Sequence, residues 1–212
     1  MEVLNSYQRK KLDESNDEFF YSHPKFVYHL DKNFRNCLTR IYEKEIKQNS
    51  IVLDLMSSWD SYLPKRKKYK KVYGHGLNSK ELEKNKILDS FWTQNLNLNQ
   101  NIPMNDESVD YCLMVAAWQY LQYPEKLTQE ISRILCNEGK LLVSFSNRAF
   151  WHKTPNIWTN STEDERLTYV RRVLISNGFN EPKIIKKYNS QSFNIFPFFK
   201  NDPFYSIVAS KK

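Results

Sequence analysis

Glycine is scarce in this chain, with four glycines among 212 residues. Glycine is the residue that adopts left-handed backbone conformations and permits close approach of the main chain to a ligand. No Gly-x-Gly-x-x-Gly pattern follows a predicted strand, so a nicotinamide dinucleotide site is not expected. We expect Gly139 and Gly178 to follow helices at turns, and Gly74 and Gly76 to mark the end of a strand near a ligand.

Cysteine and long apolar runs are also lacking. The three cysteines, Cys37, Cys112 and Cys136, lie far apart and form no cluster with metal-ligand spacing, which predicts reduced core residues and no metal site. No run approaches the roughly 20 apolar residues that cross a bilayer, and the first 17 residues contain no apolar signal core. The sequence therefore predicts a cytoplasmic protein without a membrane span.

Positive charges are in excess, with a formal net charge of +8 and a pI near 9.2. Lysine and asparagine are abundant along the whole chain, which favours a compositional bias over a dedicated anionic partner. The densest basic run, residues 64–71, precedes the second predicted strand. Ligands of parallel open sheets bind at the opposite, carboxyl ends of the strands. We therefore interpret the run as a solvated edge, and nucleic-acid binding through it is the less favoured alternative.

Three segments differ in composition. Residues 1–16 are polar, which predicts a disordered or loosely attached tail. Residues 17–50 contain apolar side chains at three- and four-residue steps, which predict an N-terminal helical cap with a helix at 25–47 and Pro24 in its first turn. Such a cap covers either a ligand pocket or one face of a sheet. Residues 51–212 form the predicted α/β domain.

Strand and helix patterns alternate along this domain. Strands are predicted to end at Asp54 and Gly76 and to span 91–95, 111–116, 141–145, 183–188 and 204–210. Helices are predicted at 79–86, 124–136 and 164–177. Strands separated by helices indicate a sheet with right-handed crossover connections.

The most informative stretch is Ile-Val-Leu-Asp-Leu-Met-Ser-Ser-Trp-Asp at residues 51–60. A buried strand ends near one acid, Asp54, and turns abruptly small and polar. This stretch resembles motif I of the class I S-adenosylmethionine-dependent methyltransferases, in which a Gly-x-Gly-x-Gly turn follows the acid. The three glycine positions are here Met56, Ser58 and Asp60. Its Asp-Leu-Met-Ser-Ser-Trp form resembles a set of methyltransferase-like proteins from cyanobacteria and plastids.

Later segments resemble the type 11 methyltransferases in the same order. They are the acidic turn at 106–110, the strand after it, the loop at 118–125, the helix at 127–135 and the turn at 137–144. The resemblance implies a Rossmann-like, doubly wound, seven-stranded sheet with six parallel strands and one antiparallel strand. It also implies S-adenosylmethionine as the cofactor and a small-molecule methyl acceptor.

The resemblance assigns the cofactor site residue by residue. It implies cofactor contacts for Asp54, Met56, Ser57, Ser58, Gly76, Leu77, Asn78, Asn95, Leu96 and Ala116. Residues that follow the fourth and fifth strands are candidates for the acceptor site, and none of them is singled out as a catalyst: Trp118, Gln119, Tyr120, Asn147, Arg148 and Trp151. The aromatic segment 193–204 is a candidate for an acceptor pocket or for a partner surface.

Two departures from the family pattern leave alternatives open. The loop lacks its glycines, and the acid that takes the ribose hydroxyls in the family falls at Gly76. Hydroxyls of Ser57 and Ser58 and the amide of Asn78 offer replacement hydrogen bonds. A methyltransferase-fold protein that acts only as a binding or assembly module is the main alternative, because a glycine-free loop weakens cofactor binding unless such groups compensate.

Overall fold

The computed structural model describes residues 1–187 and 201–212. Most of the predicted aromatic segment 193–204, and the last residue of the strand predicted at 183–188, lie outside the described residues. The described part contains seven strands: β1 (Ile51–Leu55), β2 (Lys71–Gly76), β3 (Ser90–Thr93), β4 (Val109–Val115), β5 (Leu135–Phe145), β6 (Lys183–Lys187) and β7 (Phe204–Ser210).

These strands form one sheet in the order β3-β2-β1-β4-β5-β7-β6. The pairs β1–β2, β1–β4, β2–β3 and β4–β5 are parallel, as the predicted mostly parallel α/β sheet requires. Strand β7 is antiparallel to both of its neighbours, β5 and β6. The strand order reverses its direction at β1 and β4, which is the place where open α/β sheets bind ligands.

Successive residues of each strand point to opposite faces of the sheet, and a core cluster covers each face. Leu53 of β1 and Met114 of β4 lie in one core cluster, while Val52 and Leu113 lie in the other. The first face packs against helices α5 (Pro124–Ile134) and α7 (Glu163–Ser176), and the second against α3 (Lys32–Glu45). This alternation explains the continuous apolar runs of the central strands.

The helix predicted at 25–47 is shorter than its apolar pattern. Helix α3 begins after Asp31, whose side chain accepts a hydrogen bond from Phe34 N at 2.7 Å and caps the helix. Residues 25–31 are not helical, and Phe26 and Val27 are exposed. The periodicity continued upstream of the helix, but the cap at Asp31 determines where the helix starts.

The first sixteen residues are attached to the domain, contrary to the prediction of a loose tail. Short helix α1 (Ser6–Arg9) follows Leu4, which is buried. Glu125 of α5 accepts hydrogen bonds from Val3 N and Leu4 N at 2.8 Å and forms an ion pair with Arg9. The contacts with Glu125 join residues 116 to 122 positions apart in sequence, so the polar composition of the segment did not reveal the docking.

Helix α2 (Asp17–Phe20) precedes α3, α4 (Ser79–Lys84) follows β2, and α6 (Asn156–Thr159) precedes α7. Helices α4, α5 and α7 lie within two residues of their predicted bounds, whereas the short helices α2 and α6 were not predicted. Strand β5 starts six residues before the predicted 141, because the turn expected at Gly139 is an irregularity inside the strand, next to Glu138 with φ 61°. No helix of the described ranges has the length and apolar character needed to cross a membrane.

Candidate functional site

A cavity of about 660 Å³ opens at the carboxyl ends of β1, β2, β4 and β5. Its volume lies within the range of roughly 300–1,000 Å³ that small-ligand sites occupy. All predicted cofactor residues line it: Asp54, Met56, Ser57, Ser58, Gly76, Leu77, Asn78, Asn95, Leu96 and Ala116. The predicted acceptor residues line it too, with the exception of Trp118.

Asp54 anchors the loop that follows β1. Its side chain is buried and accepts a hydrogen bond from Ser57 Oγ at 2.5 Å. Burial raises the pKa of Asp54 from 3.8 to about 7, although hydrogen bonds from Ser57 and Ser61 oppose this shift. The carboxyl group is therefore poised between its neutral and ionised forms near neutral pH.

Met56 adopts the conformation that a glycine would ordinarily supply. Its φ angle is 55°, in the left-handed region, at the first of the three positions where the resembling family has glycine. His75 of β2 holds this turn, since its Nδ1 accepts a hydrogen bond from Met56 N at 3.2 Å and its carbonyl accepts one from Ser57 N at 2.6 Å. The loop thus keeps a glycine-like backbone without glycine, at a cost of about 1–2 kcal/mol.

The ring of His75 is neutral in this arrangement. Its Nε2 lies 2.9 Å from the carbonyl oxygen of Gln94, so Nε2 carries the proton and donates it in a hydrogen bond. Its Nδ1 is unprotonated and accepts the hydrogen bond from Met56 N. Burial lowers the pKa of His75 from 6.5 to about 4. This histidine was not predicted as a site residue, because only the fold brings the end of β2 against the β1 loop.

Gly76 explains why no acid stands at the end of β2. A Cβ atom at this position would lie 2.6 Å from the carbonyl oxygen of Ser57. The β1 loop therefore approaches β2 so closely that position 76 accommodates no side chain. The close approach that loop glycines would allow is achieved here by a glycine on the neighbouring strand.

Glu81 of α4 is the carboxylate next to this contact. It is buried, accepts a hydrogen bond from Ser58 Oγ at 2.5 Å, and accepts another from Lys25 N at 2.6 Å. Asn78, predicted at the ribose end, caps α4 by accepting from Glu81 N at 3.2 Å, while its amide donates to the carbonyls of Tyr21 and Ser22. In this structure Asn78 is thus committed to internal hydrogen bonds.

The predicted adenine contacts lie at the next loop. Asn95 is buried and accepts a hydrogen bond from Asn97 N at 3.0 Å, and its amide donates to Asn16 at 3.2 Å. Leu96 is buried beside it. Across the cavity, Ala116 has a φ angle of 49° and donates its N–H to Ser144 O at 2.8 Å. The strand end at Ala116 therefore turns away sharply and leaves the cavity open.

The predicted acceptor residues divide into two groups. Trp118 is 1% exposed and packs in the core, so it does not face the cavity. Gln119 is equally buried but lines the cavity, and its Oε1 has no hydrogen-bond partner in the described part of the chain. Tyr120 accepts from Phe150 N at 3.1 Å. The segment after β5 contributes the others, and they are partly exposed: Asn147, Arg148 and Trp151.

Several lining residues were not predicted, because residues from the N-terminal segment close one side of the cavity. Lys25 Nζ lies 4.5 Å from the ring centre of Phe20. His29 stands edge-on to Phe150 at 5.6 Å. Lys153 is 1% exposed and forms ion pairs with Asp13 and with Asp17. The sequence indicated these residues only through the expectation that residues 17–50 form a cap over a pocket.

The basic run before β2 lies away from the cavity. Lys67 donates to the carbonyls of Tyr42, Glu43 and Ile46 and so caps the carboxyl end of α3. Lys65 is exposed at the loop that leads into the amino end of β2. The run therefore lies at the edge of the sheet opposite to the cavity, as predicted.

The fold is similar to that of solved S-adenosylmethionine-dependent methyltransferases. Residues 60–143 match a family model described as a methyltransferase domain. No curated protein sequence matches the chain.

Solved structures support the same fold at low sequence identity. One is a chain from the Haloferax volcanii complex that contains the Trm112 methyltransferase activator, with 16% identity, a TM-score of 0.62, and coverage of 84% of this chain and 90% of that one. Another is a methyltransferase of Thermotoga maritima, with 17% identity, a TM-score of 0.59, and coverage of 85% and 91%. A third is the cyclase SpnF, with 12% identity, a TM-score of 0.59, and coverage of 84% and 81%. Because the third is described as a cyclase, the shared fold does not by itself specify the reaction.

Proposed function

We propose that this chain is an S-adenosylmethionine-dependent methyltransferase that acts on a small-molecule acceptor. The observation that carries the proposal is the β1 loop: Asp54 stands at its start, and Met56 adopts the left-handed conformation of the first motif glycine. A loop that had lost its function would be free to relax away from a conformation that costs about 1–2 kcal/mol. The likeness to methyltransferase-like proteins of cyanobacteria and plastids stays a prediction.

The residues present fit the cofactor in charge. S-adenosylmethionine carries a sulfonium cation, an ammonium group and one carboxylate, a net charge of +1, and three carboxyl groups, Asp54, Asp60 and Glu81, line the cavity near the β1 loop. The unpartnered Oε1 of Gln119 is a buried acceptor that suits an N–H or O–H donor of a bound molecule. We assign the methionine end to the β1 loop, the ribose end to Gly76–Asn78, and the adenine to Asn95 and Leu96.

The cofactor supplies an activated methyl group, and the role of the protein is to hold two reactants in line. Methyl transfer gains rate mainly from such positioning, so no fixed catalytic triad is needed. The hydrogen bond from Ser57 to Asp54 fixes the β1 loop, which forms one side of the cavity. We place the acceptor against Gln119, Tyr120, Asn147, Arg148 and Trp151, with Trp118 as a core residue behind them.

Calorimetric titration with S-adenosylmethionine and S-adenosylhomocysteine tests this proposal. We expect micromolar binding by the wild-type chain and weaker binding by Asp54→Ala and Ser58→Ala. A loss of roughly tenfold to a hundredfold corresponds to one hydrogen bond to a charged group. Ser90→Ala, at an exposed position of β3, is the matched control and should bind as the wild type does.

Absence of binding at millimolar cofactor in a folded protein would contradict the proposal. The alternatives would then be a methyltransferase-fold binding or assembly module, or a nucleic-acid-binding protein. Binding of generic RNA that weakens steeply with salt, and that is lost when the lysines of 65–71 are replaced, would favour the latter. The cytoplasmic location remains a prediction from the sequence.

A further inference from the structure

Most of the charged side chains that line the cavity lie in two groups, apart from Asp17, which pairs with Lys153. Asp54, Asp60 and Glu81 form an acidic wall on the β1 loop and on α4. Three cations, Lys25, Arg148 and Lys153, form a basic wall on the N-terminal segment and after β5. Strand β4 lies between β1 and β5, so the ends of β1 and β5 are about 10 Å apart. The two walls meet where the backbone N–H of Lys25 donates to Glu81.

The members of the basic wall differ in how their charges are balanced. The charge of Lys153 is balanced by Asp13 and Asp17. Arg148 pairs with Asp202 through Nε only, and its side chain is 58% exposed. These two cations therefore leave different amounts of charge for a ligand: almost none at Lys153, and the outer part of the guanidinium at Arg148.

Lys25 is the exception, because it forms no ion pair within the described ranges. Its backbone N–H donates to Glu81, but its side chain reaches across to the rings of Phe20, Tyr21 and Phe150, 4.5, 5.1 and 5.7 Å from Nζ. Its Nζ has one hydrogen bond, to the carbonyl oxygen of Phe20 at 3.2 Å. An ammonium group has three donors, so two of them have aromatic rings nearby but no hydrogen-bond acceptor in the described part of the chain.

We propose that the methyl acceptor is a small anion whose carboxylate or phosphate group binds to Lys25 and Arg148, with its body against the aromatic side chains beside them. This inference rests on the proposed function. The partly exposed aromatic rings of Phe150 and Trp151 border the same part of the cavity.

The chemistry of the step agrees with this arrangement. An acceptor atom donates a lone pair to the methyl carbon while the sulfur–carbon bond breaks, and the bonding pair passes to sulfur, which becomes a neutral thioether. The sulfonium charge is lost in this step, while the carboxylate or phosphate group bound by Lys25 and Arg148 keeps its charge. A neutral attacking atom becomes positively charged as the bond to carbon forms, so a bound anion close to it stabilises the transition state more in a cavity of low dielectric than in water. Where the attacking atom carries a proton, His29 is the nearby base: burial lowers its pKa below 6.5, which leaves it neutral at pH 7.

Four probes that share one ring test the inference: benzoate, phenyl phosphate, benzamide and benzylamine. Each is titrated calorimetrically at constant ionic strength into the protein saturated with S-adenosylhomocysteine. We expect benzoate or phenyl phosphate to bind at least about tenfold more tightly than benzamide, and benzylamine to bind least. The stronger of the two anions indicates which group the acceptor carries.

Lys25→Met retains the apolar stem and removes the charge. It should weaken binding of the preferred anion by roughly tenfold to a hundredfold and leave benzamide unchanged, while Lys25→Arg restores most of the loss. Lys65→Met, at an exposed lysine away from the cavity, is the control and should have no effect. A thermal unfolding midpoint close to that of the wild type would confirm that each variant is folded.

The inference is overturned if benzylamine or benzamide binds as well as the anions, if none of the probes binds, or if Lys25→Met leaves the preference unchanged. Failure of the proposed function is distinguishable from this. If the proposed function is wrong, S-adenosylhomocysteine does not bind. The anion preference and its dependence on Lys25 are measured separately, in a parallel titration without the cofactor.

Discussion

Two buried titratable groups beside the β1 loop, His75 and Asp54, should give the protein opposite dependences on pH. His75 is 1% exposed and has a pKa of about 4, against 6.5 in the unfolded chain. Between these values the unfolded chain binds a proton that the folded chain does not, so the free energy of unfolding falls as the pH is lowered from 6.5 to 4. The full loss amounts to about 3.4 kcal/mol.

Asp54 acts in the other direction. It is 3% exposed and has a pKa of about 7, against 3.8 in the unfolded chain. Between these values the folded chain holds a proton that the unfolded chain has lost, so stability falls as the pH rises from 4 to 7. The full change is about 4.4 kcal/mol. In the wild type the two effects oppose each other over most of this range.

Replacing one group at a time separates the two effects. In Asp54→Asn, stability should fall on acidification from pH 6.5 to 4.5, because His75 then acts alone. In His75→Gln, stability should rise on acidification from pH 7 to 4.5. Urea unfolding followed by tryptophan fluorescence measures both, and every other titrating group is common to the two variants. Parallel pH profiles of the two variants would refute the reasoning.

Three further predictions concern packing and the cofactor. Gly76→Ala should cost about 1–3 kcal/mol in urea unfolding, because its Cβ meets a backbone oxygen, whereas Gly74→Ala meets the flexible end of a leucine side chain and should cost less; equal costs would contradict this. Glu125→Ala should release the N-terminal segment, seen as faster amide exchange before residue 10, while Lys126→Ala should not. The affinity for S-adenosylmethionine should rise relative to that for S-adenosylhomocysteine, whose sulfur is uncharged, as the pH rises from 6 to 8, because Asp54 ionises. Asp54→Asn should abolish that gain.

The sheet was predictable because its signals are local. Each central strand is a short apolar run between polar turns, and the acid and small residues after β1 mark the loop at its carboxyl end. The positions of Asp54, Ser57 and Ser58 in the cavity follow from strand direction alone. Trp118 could not be placed in this way, because a large aromatic residue after a strand suits a pocket wall and a core equally.

The closure of the cavity was not predictable, since it depends on contacts between distant residues. Lys25 approaches Glu81 from 56 residues away, and Lys153 pairs with Asp13 across the chain. Each of these residues is unremarkable in its local sequence. Periodicity likewise extended the cap helix upstream, and only the side chain of Asp31 shows where it begins.

The lack of loop glycines has a structural counterpart on the neighbouring strand. Two requirements are usually met by glycine in such a loop: a left-handed residue and space for the main chain. Here Met56 meets the first, held by the ring and carbonyl of His75, and Gly76 meets the second by presenting no side chain to Ser57. The acid that would occupy position 76 is thereby excluded, and Glu81 supplies a carboxylate beside Ser58 instead. The glycine-free loop and the lack of an acid at position 76 therefore accompany one close contact between β1 and β2, and the cavity at the strand ends stays open beside that contact.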